Sequence, residues 1–264
     1  MNRLVCWLGL LLVPLGAFAQ VFGTVDAVTG PVTVVSADGA TVTPVVGQKL
    51  LVGQTVQTQA AGELHAVTED GGLLALRPNT TFKMLRYQAT QDDKSVIDMS
   101  LVRGALRSIT GWIGKLNPSG YRVNTATATI GIRGTDHEVT FVEAGTGRDH
   151  AGTYDSVLEG ATFVRTAQGE LHLQAGQHGF AARDAQGAPG LLAERPEFLG
   201  QRALRLEERI AERKEKLGQR VRQVIDANPD VPKPVREKLD SMTDEQREAA
   251  RKKLLRRAQR RNAD

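Results

Sequence analysis

The chain has 264 residues, 41% of them hydrophobic, with 34 Lys and Arg against 30 Asp and Glu and a single cysteine, Cys6. One cysteine excludes an internal disulfide framework, so the fold must rest on its core, and the length is ample for one. The net charge of +4 hides a division: residues 20–194 carry 13 basic and 17 acidic side chains, whereas residues 195–264 carry 20 and 13.

Residues 1–19 read as a secretory signal. Arg3 supplies the positive start, Leu4 to Leu15 is an apolar run of signal length, and Ala17-Phe18-Ala19 is a small-residue cleavage site. The run is shorter than the roughly 20 apolar residues of a spanning helix. Cys6 lies early in it, not at its end where a lipid-modified cysteine belongs. The mature chain is expected to begin near Gln20, in the periplasm, with secretion as the second choice, and it would hold no thiol.

Residues 20–185 are expected to form an all-β domain, an antiparallel sandwich or roll of many short strands. Period-2 runs such as Thr24-Val25-Asp26-Ala27-Val28, Val32-Thr33-Val34-Val35 and Thr41-Val42-Thr43 are separated by glycine, aspartate and proline. Asp38-Gly39 and Asp70-Gly71 are hairpin signals, because both residue types tolerate the left-handed conformations of tight turns. A weak echo of glycine before Val- and Thr-rich patterns has no fixed period, which sets a solenoid-like roll below a sandwich. Gly111-Trp112-Ile113-Gly114-Lys115-Leu116 has its glycines too close for a phosphate loop, and Leu116 stands where a hydroxyl would hold magnesium. It reads as a turn with Trp112 packed nearby.

The stretch Tyr121 to Val142, YRVNTATATIGIRGTDHEVTFV, is the centre of this domain. Thr129 and Ile130 close one alternating strand, and Gly131 and Gly134 punctuate it, which calls for positive φ or for close approach by another strand. Ile132 and Arg133 are therefore placed at a sharp corner. Beyond it His137, Val139 and Phe141 share the face expected to meet the core, leaving Asp136, Glu138 and Thr140, together with Glu143, as a solvated side. A guanidinium at such a corner can clamp a carboxylate or phosphate bidentately, or can brace the turn by bonding backbone carbonyls. Thr135 and Asp136 are read as turn-capping groups.

The run Thr127-Ala128-Thr129-Ile130-Gly131-Ile132-Arg133-Gly134-Thr135-Asp136 resembles the signature of the FecR-domain family. Three further stretches are similar to that family: Glu63 to Met84 with its Asp70-Gly71-Gly72 turn and Pro78-Asn79-Thr80, then Val102-Arg103-Gly104-Ala105-Leu106, and the pair Val157-Leu158-Glu159-Gly160 with Ala175-Gly176-Gln177. The likeness runs from about Val21 to Arg183 and departs from the family at His137, where an aromatic is expected. The family's regulators join a cytoplasmic sigma-factor segment and one membrane span to a periplasmic domain. Here a signal peptide directly precedes the β-domain, so the resemblance implies an extracytoplasmic ligand- or protein-binding module and not anti-sigma activity.

A composition shift at Gln186-Gly187-Ala188-Pro189-Gly190 marks a linker over residues 186–195, and residues 196–264 read as a basic α-helical region. Leu199, Ala203, Leu206, Ile210, Leu217, Val221 and Val224 recur at three and four residues along one helix of about thirty residues. Asn228-Pro229 stops it, and Thr243-Asp244-Glu245-Gln246 opens a last helix with a capping box. That helix holds eight Lys and Arg and one Glu between Arg247 and Arg261. In an exported chain its Arg256, Arg257, Arg260 and Arg261 point to an anionic surface as partner and not to nucleic acid.

No catalytic residue, metal site or cofactor is expected. The chain lacks a G-x-S-x-G elbow, and His65, His137, His150, His172 and His178 do not cluster at zinc spacing. The expected function is a non-enzymatic periplasmic interaction module that docks to an envelope protein or a cell-wall glycan, with the oligomeric state open. The alternatives are an envelope hydrolase with an unrecognised carboxylate site, and a coiled-coil assembly protein with a passive β-domain.

Overall fold

The computed structural model describes residues 20–90, 94–143, 151–183, 187–200 and 210–216. The signal segment and the helices expected beyond residue 216 lie outside the described residues. The strands are, in order, β1 (Val21–Thr29), β2 (Val32–Val35), β3 (Thr41–Val42), β4 (Lys49–Leu51), β5 (Thr55–Thr58), β6 (Glu63–Thr68), β7 (Leu73–Leu76), β8 (Thr81–Gln88) and β9 (Val96–Ile109). After a helical turn α1 (Ile113–Leu116) come β10 (Tyr121–Asn124), β11 (Thr129–Val142), β12 (Gly152–Thr166), β13 (Gly169–Gln174), β14 (His178–Ala182), β15 (Gly190–Leu192) and a second helical turn α2 (Glu197–Gly200). Residues 210–216 form helix α3. Strand β15 falls within the stretch that composition marks as a linker.

All fifteen strands belong to one hydrogen-bonded sheet, and three long strands fold it into two halves. The first part of β9 pairs with β8 and with β10, while its second part pairs with β7 and β11. Likewise β11 passes from β10 to β9, and β12 passes from β14 to β13. One half therefore runs β3-β2-β5-β8-β9-β10-β11-β12-β13 and the other β4-β1-β6-β7-β9-β11-β12-β14-β15. Strands that switch halves through bends are how a sandwich makes its corners. The expected antiparallel sandwich or roll holds, with one parallel pair, β9 with β10.

Each long strand bends at a glycine of positive φ: Gly104 at +88°, Gly134 at +64° and Gly160 at +79°. The expected corner at Gly131 to Gly134 is thus a bend inside the continuous strand β11, marked by a register shift between Arg133 and Asp136, and not a turn between two strands. The two glycines serve different ends. Gly134 has the left-handed φ, whereas a Cβ at Gly131 would stand 2.0 Å from the Phe163 ring, so its role is close approach. Replacing Gly134 with valine is expected to cost roughly 1 to 3 kcal/mol, the strain of a β-branched residue in that region. An unchanged melting temperature would refute it.

The inner faces close on one core in which Phe22 of β1 meets Phe82 of β8 with ring centroids 6.4 Å apart, joined by Leu74, Met84, Leu101 and Leu106. Polar contacts pin the halves together as well. The Tyr87 hydroxyl, from β8, lies 3.1 Å from Asp70 Oδ1 in the β6–β7 turn, where Thr68 Oγ1 also donates at 2.6 Å and the Ile113 amide at 3.3 Å. Burial raises the Asp70 carboxyl above its ordinary value despite these bonds. Trp112 is buried beside that turn, and its amide donates to the Asp70 carbonyl at 3.2 Å, so the glycine-rich stretch is a packed turn.

Candidate functional site

The second half of β11 is buried on both sides. His137, Val139 and Phe141 face the core as expected, but Asp136 (2% exposed), Glu138 (4%) and Thr140 (1%) are also covered, which overturns the expected solvated face. Glu143 alone of that set is exposed. The reason is that the C-terminal segment lies across this face of the sheet.

Each buried carboxylate on β11 receives one cation from the sheet and one from that segment. Asp136 accepts two bonds from Arg107 of β9, both 2.9 Å, and one from Lys214 Nζ of α3 at 2.9 Å. Glu138 accepts from Arg77 Nε, just beyond β7, at 2.7 Å and from Arg195 Nη2 at 2.8 Å. Lys214 also reaches Glu159 of β12 at 2.5 Å, and Arg213 Nε donates to Asp26 of β1 at 3.0 Å. Apolar contacts seat the segment: Ile210 and Leu199 are each 2% exposed, and Phe198 meets Tyr154 edge-on at 5.3 Å while Tyr154 lies 4.5 Å from Phe180. Leu199 and Ile210 belong to the helical seam read in the sequence.

Burial alone would raise the Asp136 carboxyl, but bonds and charge from Arg107 and then Lys214 outweigh it and hold it below its ordinary value. A lowered folded-state pKa contributes stability above the unfolded value near 3.9, and that contribution is lost as pH falls through it toward the folded value. Urea midpoints measured from pH 6 down to pH 3 are therefore expected to fall more steeply for the wild type than for Asp136→Asn. Parallel curves would contradict this.

On the inner side, His137 Nδ1 is 2.8 Å from Asp155 Oδ1, and Thr162 Oγ1 donates to Asp155 Oδ2 at 2.5 Å. His137 Nε2 has no partner among the described residues. His65 is buried and 3.0 Å from Glu63, and His172 is exposed beside Glu170. The ring of His178 is pushed down in pKa by burial and then by the charge of Arg195, against a pull from Asp155. No group of three His, Cys, Asp or Glu suited to a metal occurs among the described residues. His150 lies outside them.

The other motif residues divide by place along the bend. Thr129 Oγ1 donates to Asn124 Oδ1 at 2.9 Å, and Ile132 is buried against α1. Thr135 does not cap a turn; its backbone pairs with Thr110 while its hydroxyl has no partner among the described residues, and Asp136 is committed to the two cations. Arg133 is exposed and has no hydrogen bond or ion pair among the described residues, so it does not brace the bend. Arg256, Arg257, Arg260 and Arg261 lie outside the described residues.

The arrangement is that of a folded-over β-domain, one face of which is sealed by ion pairs to the chain's own C-terminal segment while its bend presents an arginine with no partner among the described residues. Residues 54–162, from just before β5 into β12, match the family model of FecR protein. Two crystal structures described as a candidate anti-sigma factor from Parabacteroides distasonis are similar at 14% and 15% identity, with TM-scores of 0.42 and 0.40. Each comparison covers 55% of this chain and 62% of the length of that protein. No curated protein matches the sequence. No helix among the described residues is long and apolar enough to cross a membrane.

Proposed function

We propose that the protein is a non-enzymatic binding module of the cell envelope, exported to the periplasm, that docks through its FecR domain to an envelope protein or a cell-wall glycan. The observation that carries this reading is the contrast along β11: Asp136 and Glu138 are each engaged by two cations, whereas Arg133 stands exposed at the bend with no partner among the described residues. A guanidinium in that setting is available for a carboxylate or phosphate on a partner. A photo-crosslinking residue placed at position 133 should give a discrete envelope adduct in living cells, and one placed at exposed Val46, away from the motif, should not. Equal labelling from both positions, or none from 133, would remove the reading.

The cationic end of the chain is the second contact, with an anionic surface as its partner. Replacing Arg256, Arg257, Arg260 and Arg261 with glutamine keeps helix propensity and removes four charges. At about 1 kcal/mol per cation near an anionic surface, co-sedimentation with phosphatidylglycerol vesicles should weaken by roughly 10² to 10³. Equal binding by the wild type and the variant at low salt would exclude this contact.

A further inference from the structure

We infer that the outer face formed by β1, β6, β7, β9, β11 and β12 is a docking surface for a cationic amphipathic helix, of which the chain's own α3 is the resident occupant. This surface adjoins the Arg133 bend at Asp136 and Glu159, but none of its ion pairs involves Arg133.

Among the described residues the face holds five carboxylates, Asp26, Glu63, Asp136, Glu138 and Glu159, against two arginines of the sheet, Arg77 and Arg107, and His65 beside Glu63. It is left at least two charges negative until Arg195, Arg213 and Lys214 complete it. The occupant's pattern is simple: Ile210 enters the core cluster, and Arg213 and Lys214, three and four residues on, fall on the same helix face. Ala211, Glu212, Glu215 and Lys216 point away and are exposed.

Cover and face differ in how firmly they are held. The carboxylates of Asp26, Asp136 and Glu138 are 7%, 2% and 3% exposed, but the cations that come down on them are 41% exposed at Arg213, 35% at Arg195 and 23% at Lys214. Half-exposed ion pairs are individually weak and are screened by salt. Lifting the segment leaves Asp136 still gripped by Arg107 and Glu138 by Arg77, so the face keeps its shape and shows an acidic surface with an apolar socket. A helix from another protein bearing an apolar residue with cations three and four positions on fits that vacancy.

The test uses the full chain with Arg195→Glu, Arg213→Glu and Lys214→Glu, and a fluorescent peptide of the natural sequence from Arg195 to Lys216. Fluorescence anisotropy at low ionic strength should show the triple variant binding the peptide at least about tenfold more tightly than the wild type, whose tethered segment competes at high effective concentration. A peptide with Arg213 and Lys214 changed to glutamate should not bind. A folded triple variant that ignores the natural peptide, or takes both peptides equally, would overturn the proposal. Hydrogen exchange on the wild type decides it independently should the variant not fold: amides of residues 211–216 should exchange several-fold faster as salt is raised, and unchanged protection would overturn it.

Discussion

Glu138→Ala is expected to lower the melting temperature by about 10 °C or more. The substitution strips Arg77, whose side chain is 6% exposed, of a buried carboxylate partner and strips Arg195 of the same carboxylate. Breaking one member of a buried pair costs about 3 to 5 kcal/mol, a large share of the roughly 5 to 15 kcal/mol that holds a domain together. For a chain of this size each kcal/mol moves the midpoint by roughly 2 to 4 °C. The double change Arg77→Met with Glu138→Leu should recover part of the loss, because the buried guanidinium is removed together with the carboxylate that faced it. A single-variant shift under about 2 °C by calorimetry would show that the Arg77–Glu138 pair does not hold this face together.

Gly160→Ala is expected to be worse than Gly134→Ala, although both glycines have positive φ. At Gly134 the added methyl meets only Lys115 Cγ at 3.9 Å, so the cost is backbone strain alone. At Gly160 the methyl would lie 2.2 Å from the Gly134 carbonyl oxygen and 3.1 Å from Thr135 Cα, which are backbone atoms that cannot swing aside. Strain of about 1 to 2 kcal/mol is then joined by a forced separation of the β11 and β12 bends. Equal denaturation midpoints for the two variants would mean that the bends are not in contact.

Much of the β-domain was legible because its signals are local. The runs at Thr24 to Val28 and Val32 to Val35 and the turns at Asp38-Gly39 and Asp70-Gly71 appear where alternation and turn chemistry put them, and Gly39 and Gly71 have the positive φ those turns need. The bend at Gly134 was legible as a place but not as a shape, since a glycine of positive φ can end a strand or kink it. Burial of Asp136 and Glu138 was not legible, because alternation reports which side chains share a face and says nothing of what later covers that face. A signal was present in the opposite charge of the two parts of the chain and in Leu199 and Ile210 on one seam, yet it names no site of contact until Arg195, Arg213 and Lys214 are set against the strands.

The bond between Arg213 and Asp26 joins positions 187 residues apart. Closing so long a loop costs only about 0.6 kcal/mol more than closing one half its length, so the span is no great burden at equilibrium. Its weight falls on order in time. Strand β1 is synthesised first and α3 follows 187 residues behind the Asp26 it bonds, so the acidic face can be built and stand bare until that segment arrives. A cationic helix present while the chain is being made would meet that face before the chain's own segment does.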